Sequence, residues 1–124
     1  MTFVDGFVFA VPTANKEQFL EHARAFDEVL MRHGALRVVE CWGSDVKHGK
    51  QTDFFRAVEA RDDETVCFSW IEWPDRATRD AAYGQVEAAI ASGELAGDHA
   101  QMPFDGARMV FGGFEPVLVL GGAA

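Results

Sequence analysis

Three strand-like segments carry apolar residues at consecutive positions: Phe7-Val8-Phe9, Val66-Cys67-Phe68 and Met109-Val110-Phe111. Successive side chains on a strand point to opposite faces. A sheet built from these segments is therefore apolar on both sides, whereas a sheet with one wet face alternates apolar and polar residues. Both faces must be covered, and this limits the folds and assemblies open to the chain.

The elements follow from the pattern. Phe3 to Val11 is rich in Val and Phe and ends at Pro12, so it reads as a strand. Asn15 is an expected N-cap, with Gln18 at capping-box spacing. Phe19, Ala23, Phe26 and Leu30 then form one helical stripe, and Gly34 stops the helix. Leu36–Trp42 is a second strand. Residues 44–53 form a polar loop, 54–60 a short strand or irregular extension, and 61–64 a turn. Thr65–Trp73 is a strand. A second helix starts at Pro74-Asp75 and runs to about Ser92, with Gly93 as its stop. Residues 94–107 are read as irregular, with a turn over 102–106. Arg108–Phe114 is a strand, and Val117–Leu120 a further short apolar strand after Pro116.

The order β-α-β-β-α-β is the ferredoxin-like arrangement, an α+β fold with an antiparallel sheet and two helices on one face. The whole chain, 1–124, is one such domain. Two helices cover one face only. A second copy is expected to cover the other, because a large apolar patch marks an interface and two-fold dimers are the commonest closed assembly. Val117–Leu120 is the segment expected to pair with the partner's sheet edge.

Eleven Lys+Arg against 20 Asp+Glu give a formal charge of −9. That sign opposes a nucleic-acid backbone, which needs clustered cations, and an anionic membrane surface. No apolar run approaches the ~20 residues of a membrane-spanning helix. The acidic N-terminal start is unlike a signal peptide, so a cytoplasmic location is expected. Cys41 and Cys67 lie in apolar strands and read as reduced thiols. The four histidines, His22, His33, His48 and His99, share no metal-ligand spacing. His33 reads as a helix C-terminal cap, and His48 and His99 as solvated loop residues. No phosphate loop, nucleophile elbow or Cys-x-x-Cys is present, and no metal or cofactor is expected.

Acidic residues inside apolar strands carry more information. By parity, Val38, Glu40 and Trp42 share one face, as do Phe68, Trp70 and Glu72. If those faces coincide, Glu40 and Glu72 sit among aromatic rings on the dimer-facing side. A carboxylate there has a raised pKa and can act as an acid or base. Glu40 is the catalytic candidate. Trp42 and Trp70 are candidate walls of a ligand site, and Glu72, Arg108 and Asp5 its polar contacts. The plainer reading pairs each carboxylate with an arginine, Arg37 or Arg108, and makes Asp5 the mark of a bulge at Gly6.

Four segments carry a family resemblance: Phe-Val-Asp-Gly-Phe at 3–7, Gly-Ala-Leu-Arg-Val-Val-Glu-Cys-Trp-Gly at 34–43, Phe-Ser-Trp-Ile-Glu-Trp-Pro at 68–74, and Met-Pro-Phe-Asp-Gly-Ala-Arg-Met with Gly-Gly-Phe-Glu-Pro over 102–116. Together they resemble the DUF1428 (YbaA-like) family of small bacterial proteins. The resemblance implies a dimeric α/β barrel and no established activity. Superfamily analogy adds small-molecule chemistry such as cofactor-independent oxygenation, haem degradation or isomerisation, although fold does not fix function. Two readings follow. One is a homodimer whose barrel cavity binds a small, partly apolar molecule and acts as a small enzyme or binding protein. The other is a non-catalytic dimeric interaction or stress module with its barrel filled by side chains.

Overall fold

The computed structural model describes residues 2–94 and 102–121. His99 and the 95–101 part of the irregular segment lie outside the described residues.

Four strands form one antiparallel sheet: β1 (Phe3–Pro12), β2 (Arg37–Trp42), β3 (Glu64–Trp73) and β4 (Val110–Phe114). Their spatial order is β2-β3-β1-β4. α1 (Lys16–Arg32) connects β1 to β2, and α3 (Arg76–Ala91) connects β3 to β4. The chain thus forms the α+β arrangement read from the pattern. The β1–β3 register is continuous through Asp5↔Ile71 and Gly6↔Trp70, so Gly6 carries no bulge. Extended pairing persists there because a Gly–Trp pair needs no extra residue to fit the ladder.

α1 starts differently from expectation. Asn15 makes no side-chain cap; its amide instead donates to the Pro103 carbonyl at 3.1 Å, tying the helix start to the 102–109 segment. A 3₁₀ turn over Thr13–Asn15 leads into the helix in place of the capping box. The stop is as read: Gly34 has φ +112°, a left-handed conformation that glycine adopts without strain. α3 is capped by Asp75, whose carboxylate accepts from the Thr78 amide at 2.7 Å.

Residues 54–60 are neither strand nor plain loop. Phe54–Ala57 is a single helical turn, α2, capped by Asp53, which accepts from the Arg56 amide at 2.8 Å. This segment seats Val58 and Phe55 against Ala10 and Val66. One end of the sheet face away from α1 and α3 is therefore covered from within the chain. Val117–Leu120 forms no strand and packs against little, with Val117 95% and Leu120 84% exposed. Pro116 ends the β4 ladder, and within the chain the sheet's free edges, β2 and β4, are not joined by the tail.

The core lies between the sheet and the two long helices. Phe3, Trp73, Ile71 and Leu30 pack with Ala82 and Val86 at one end; Phe9, Val11, Phe19 and Cys67 pack at the other. Cys67 and Cys41 are both free thiols, and burial pushes the Cys67 thiol up to about 12.

Arg108 is a structural residue. It donates through both terminal nitrogens to Glu64, at 2.8 and 2.6 Å, and through Nε to Asp105 at 3.0 Å. The Arg108 guanidinium holds the Glu64 carboxyl down at about 2. A depressed carboxyl contributes stability above its unfolded pKa and loses it as pH falls toward the folded one. We expect wild type to lose about 1–2 kcal/mol more than Arg108→Met between pH 5 and pH 2. Parallel acid limbs for the two proteins in urea denaturation would remove this role.

Candidate functional site

The pairing register decides which side chains meet. Arg37 faces Glu72, Val39 faces Trp70, and Glu40 faces Ser69 across β2–β3. Glu40 therefore shares a face with Ser69 and Ile71, while Trp70 and Glu72 point to the opposite side. The two faces compared by parity do not coincide. Glu40 lies beneath the helices and Glu72 on the outer face. There the Trp70 indole donates to Glu72 at 2.8 Å, and Arg37 lies 3.9 Å from it. Glu72 is thus held by an arginine and an indole.

Beneath the helices the sheet encloses a pocket of about 320 Å³. Its body is aromatic: Phe7 and Phe9 from β1, Phe19 and Phe26 from α1, Phe104, and Phe111 from β4. Phe7 stacks on Phe111 with centroids 6.2 Å apart, and Phe9 lies 5.0 Å from Phe104. These rings line the space and leave it open.

Two polar stations face this space. At one, Asp5 is 2% exposed and sits at the centre of a donor cluster. It accepts from Arg79 Nη2 at 2.9 Å and Nε at 3.1 Å, from Tyr83 Oη at 2.6 Å and from Trp73 Nε1 at 2.9 Å. Arg79 reaches it over Gly113, which pairs with Asp5 across β1–β4. A Cβ on Gly113 would stand 2.7 Å from Arg79 Nη2 and 2.6 Å from the Phe3 ring, so glycine is needed there. Burial and the Asp5 carboxylate push the Tyr83 phenol up, keeping it a hydrogen-bond donor.

At the other station, the Glu40 and Asp27 carboxyls both line the pocket, Glu40 facing Ser69 across β2–β3. Burial and the neighbouring Asp27 push the Glu40 carboxyl up to about 9, and burial raises Asp27 as well. Two adjacent half-buried carboxyls cannot both ionise without repulsion, so they hold one proton between them. His22 also lines the pocket, and burial lowers its pKa toward the neutral imidazole.

Of the residues singled out in the sequence, Glu40 and Asp5 line the pocket. Trp42 is on the same side but packs at the core's end, 6.2 Å from the Phe19 ring and with Lys16 5.1 Å over its face. Trp70, Glu72 and Arg108 lie away from it. Asp27, Ser69, Arg79 and Tyr83 were not singled out. Asp27 had a signal: it stands four residues after Ala23 and eight after Phe19, on the apolar stripe of α1. Among the described residues, no group of three His, Cys, Asp or Glu side chains converges as metal ligands, and no helix is long and apolar enough to cross a membrane.

Comparison with known proteins places the whole architecture. The family model "Protein of unknown function (DUF1428)" matches residues 2–106. The chain belongs to the DUF1428 family. It is 47% identical over 118 residues to the uncharacterised protein YbaA of Escherichia coli K12, covering 95% of this chain and 98% of YbaA. The YbaA protein of Shigella flexneri matches to the same extent. Among solved structures, a dimeric ferredoxin-like protein from an uncultured marine organism superposes with a TM-score of 0.55 at 13% identity. That match covers 97% of both chains. It shows that this DUF1428 chain shares the ferredoxin-like fold. The function of the family is unknown.

Proposed function

We propose that this DUF1428 protein is a homodimer in which each chain binds a small, largely apolar molecule in its own pocket. The Asp27–Glu40 pair is the polar wall that meets that molecule, able to take up or release a proton as it binds. One observation carries the reading: an open aromatic pocket of about 320 Å³ whose wall holds two carboxyls, Asp27 and Glu40. Apolar walls with a few convergent polar groups are the usual make-up of a ligand site, and this volume sits at the small end of such sites. An open pocket favours binding over a module filled by side chains. The pocket lies under the helices of one chain, not on the dimer-facing side to which strand parity assigns Glu40 and Glu72. Native mass spectrometry of protein purified from its own host is expected to show a retained small molecule. Ala23→Phe, which puts a ring at the pocket wall, is expected to abolish retention, at the ~1–3 kcal/mol cost of filling a buried position, with the fold kept as shown by its melt. Bare protein from the native host, with wild type and Ala23→Phe indistinguishable, would overturn the reading.

The assembly rests on the other face. Phe68, Val110 and Phe114 are 42%, 48% and 55% exposed there, beside Trp70 and Val8. A patch of this kind marks an interface, and pairing two sheets face to face would make the dimeric α/β barrel. The dimeric ferredoxin-like neighbour supports this arrangement. Light scattering at micromolar concentration is expected to give twice the chain mass of 13.7 kDa. Truncation after Pro116 is expected to weaken the dimer by several kcal/mol, at ~1.5–3 per buried aliphatic side chain. An undiminished dimer after truncation would place Val117–Leu120 outside the interface.

A further inference from the structure

The charge balance of the pocket narrows the ligand class. Arg79 is the pocket's one lining arginine or lysine among the described residues, and it is already held between Asp5 at 2.9 Å and Asp80 at 2.7 Å. The facing groups on β1 and α3, Asp5, Arg79 and Tyr83, therefore sum to no net charge. His22 on α1 is held toward its neutral form. Asp27 and Glu40, sharing one proton, leave the cavity with one net negative charge and no free cation to receive an anion.

The same two carboxyls have a second exposure. Ala23, Asp27 and Glu40 also line a groove of about 500 Å³ on the outside of the molecule, between α1 and β2. They form the partition between pocket and groove, and Arg24, Glu28 and Arg37 stand on the groove side. A proton leaving the pair thus has a way to water that does not cross the aromatic cavity.

We propose, building on the reading of this pocket as a small-molecule site, that its ligand is a small organic cation, an amine or quaternary ammonium on an apolar body. Its charge lies against Asp27 and Glu40, and its body packs among the phenylalanines. Aromatic faces attract such cations through the ring quadrupole, and the protein's charge of −9 steers them inward. The exchange balances: the cation takes the place of the shared proton, which departs to water by the groove. No covalent bond to the ligand forms or breaks.

Isothermal titration with benzyltrimethylammonium, its neutral isostere neopentylbenzene and the anion benzylsulfonate tests this. The cation is expected to bind about tenfold tighter than either other probe. Its affinity should rise from pH 6 to pH 9, and buffers of different ionisation enthalpy should report proton release. Asp27→Asn/Glu40→Gln, checked for an intact melt, should erase both the preference and the release. If the double variant fails to fold, the wild-type pH and buffer series decides alone. Equal or tighter binding of the neutral probe, or cation binding without proton release, overturns the proposal while leaving the pocket a small-molecule site. Absence of binding by all three probes also overturns it, and if native mass spectrometry also finds no retained molecule, both readings fall.

Discussion

Asp5→Ala is expected to cost about 3–5 kcal/mol, a large part of the stability of a domain this size. The carboxylate is the shared acceptor for Arg79, Tyr83 and Trp73, and it is 2% exposed. Removing it leaves an indole N–H and a phenol without their acceptor beneath two helices, and leaves the Arg79 guanidinium to Asp80 alone. Breaking a buried, hydrogen-bonded cluster by removing its shared acceptor costs more than the pair contributed. The control is Asp80→Ala. Asp80 also contacts Arg79, at 2.7 Å, but its side chain is 55% exposed, so its loss should cost no more than ~1 kcal/mol. Urea denaturation at neutral pH measures both. A cost below ~1 kcal/mol for Asp5→Ala would mean that water replaces the carboxylate, and that the cluster is far wetter than its burial indicates.

Glu40→Gln is expected to behave in the opposite sense. The Glu40 carboxyl is raised to about 9 in the folded protein, so between its unfolded pKa and that value the folded state holds a proton the unfolded state lacks. Stability contributed by this group therefore falls as pH rises through that window. Glutamine is neutral throughout, and its amide can donate to Asp27 as the shared proton did. Relative to wild type, the variant should gain about 2–3 kcal/mol between pH 5 and pH 8, an allowance below the ~1.4 kcal/mol per pH unit of full linkage. Thermal melts at the two pH values read the difference. A variant destabilised at pH 8 would mean that Glu40 is ionised and paired with a cation, and would remove it as a proton donor.

The strand and helix order was legible because each element carries its own signal: Val/Phe-rich runs bounded by Pro12, Gly43 and Pro74, and the Phe19–Leu30 stripe. Burial of an acidic residue at Glu40 was legible for the same reason. Its neighbours were not. Parity tells which residues of one strand share a face, but not how two strands align, and a one-residue slip exchanges the faces. The long connection from Gly43 to Asp63 leaves the β2–β3 register unmarked by any tight turn. Glu40 therefore met Ser69 and Asp27 instead of Trp70 and Glu72. Asp5 was legible as a candidate, with a bulge at Gly6 as its plainer reading, but its partners were not. Its true partners stand on an Ala-rich helix more than seventy residues away, at Arg79 and Tyr83. The tail at Val117–Leu120 has strand composition, and within its own chain it joins neither free sheet edge, β2 or β4.

The sheet below and α1 and α3 above supply the pocket's floor and roof, while Phe111, on the edge strand β4, lines it and is still 71% exposed. In the dimer proposed above, a saturation midpoint that holds steady as the protein is diluted is the expected result for a site complete in each copy. A midpoint that drifts on dilution would show that a second copy closes the wall at Phe111.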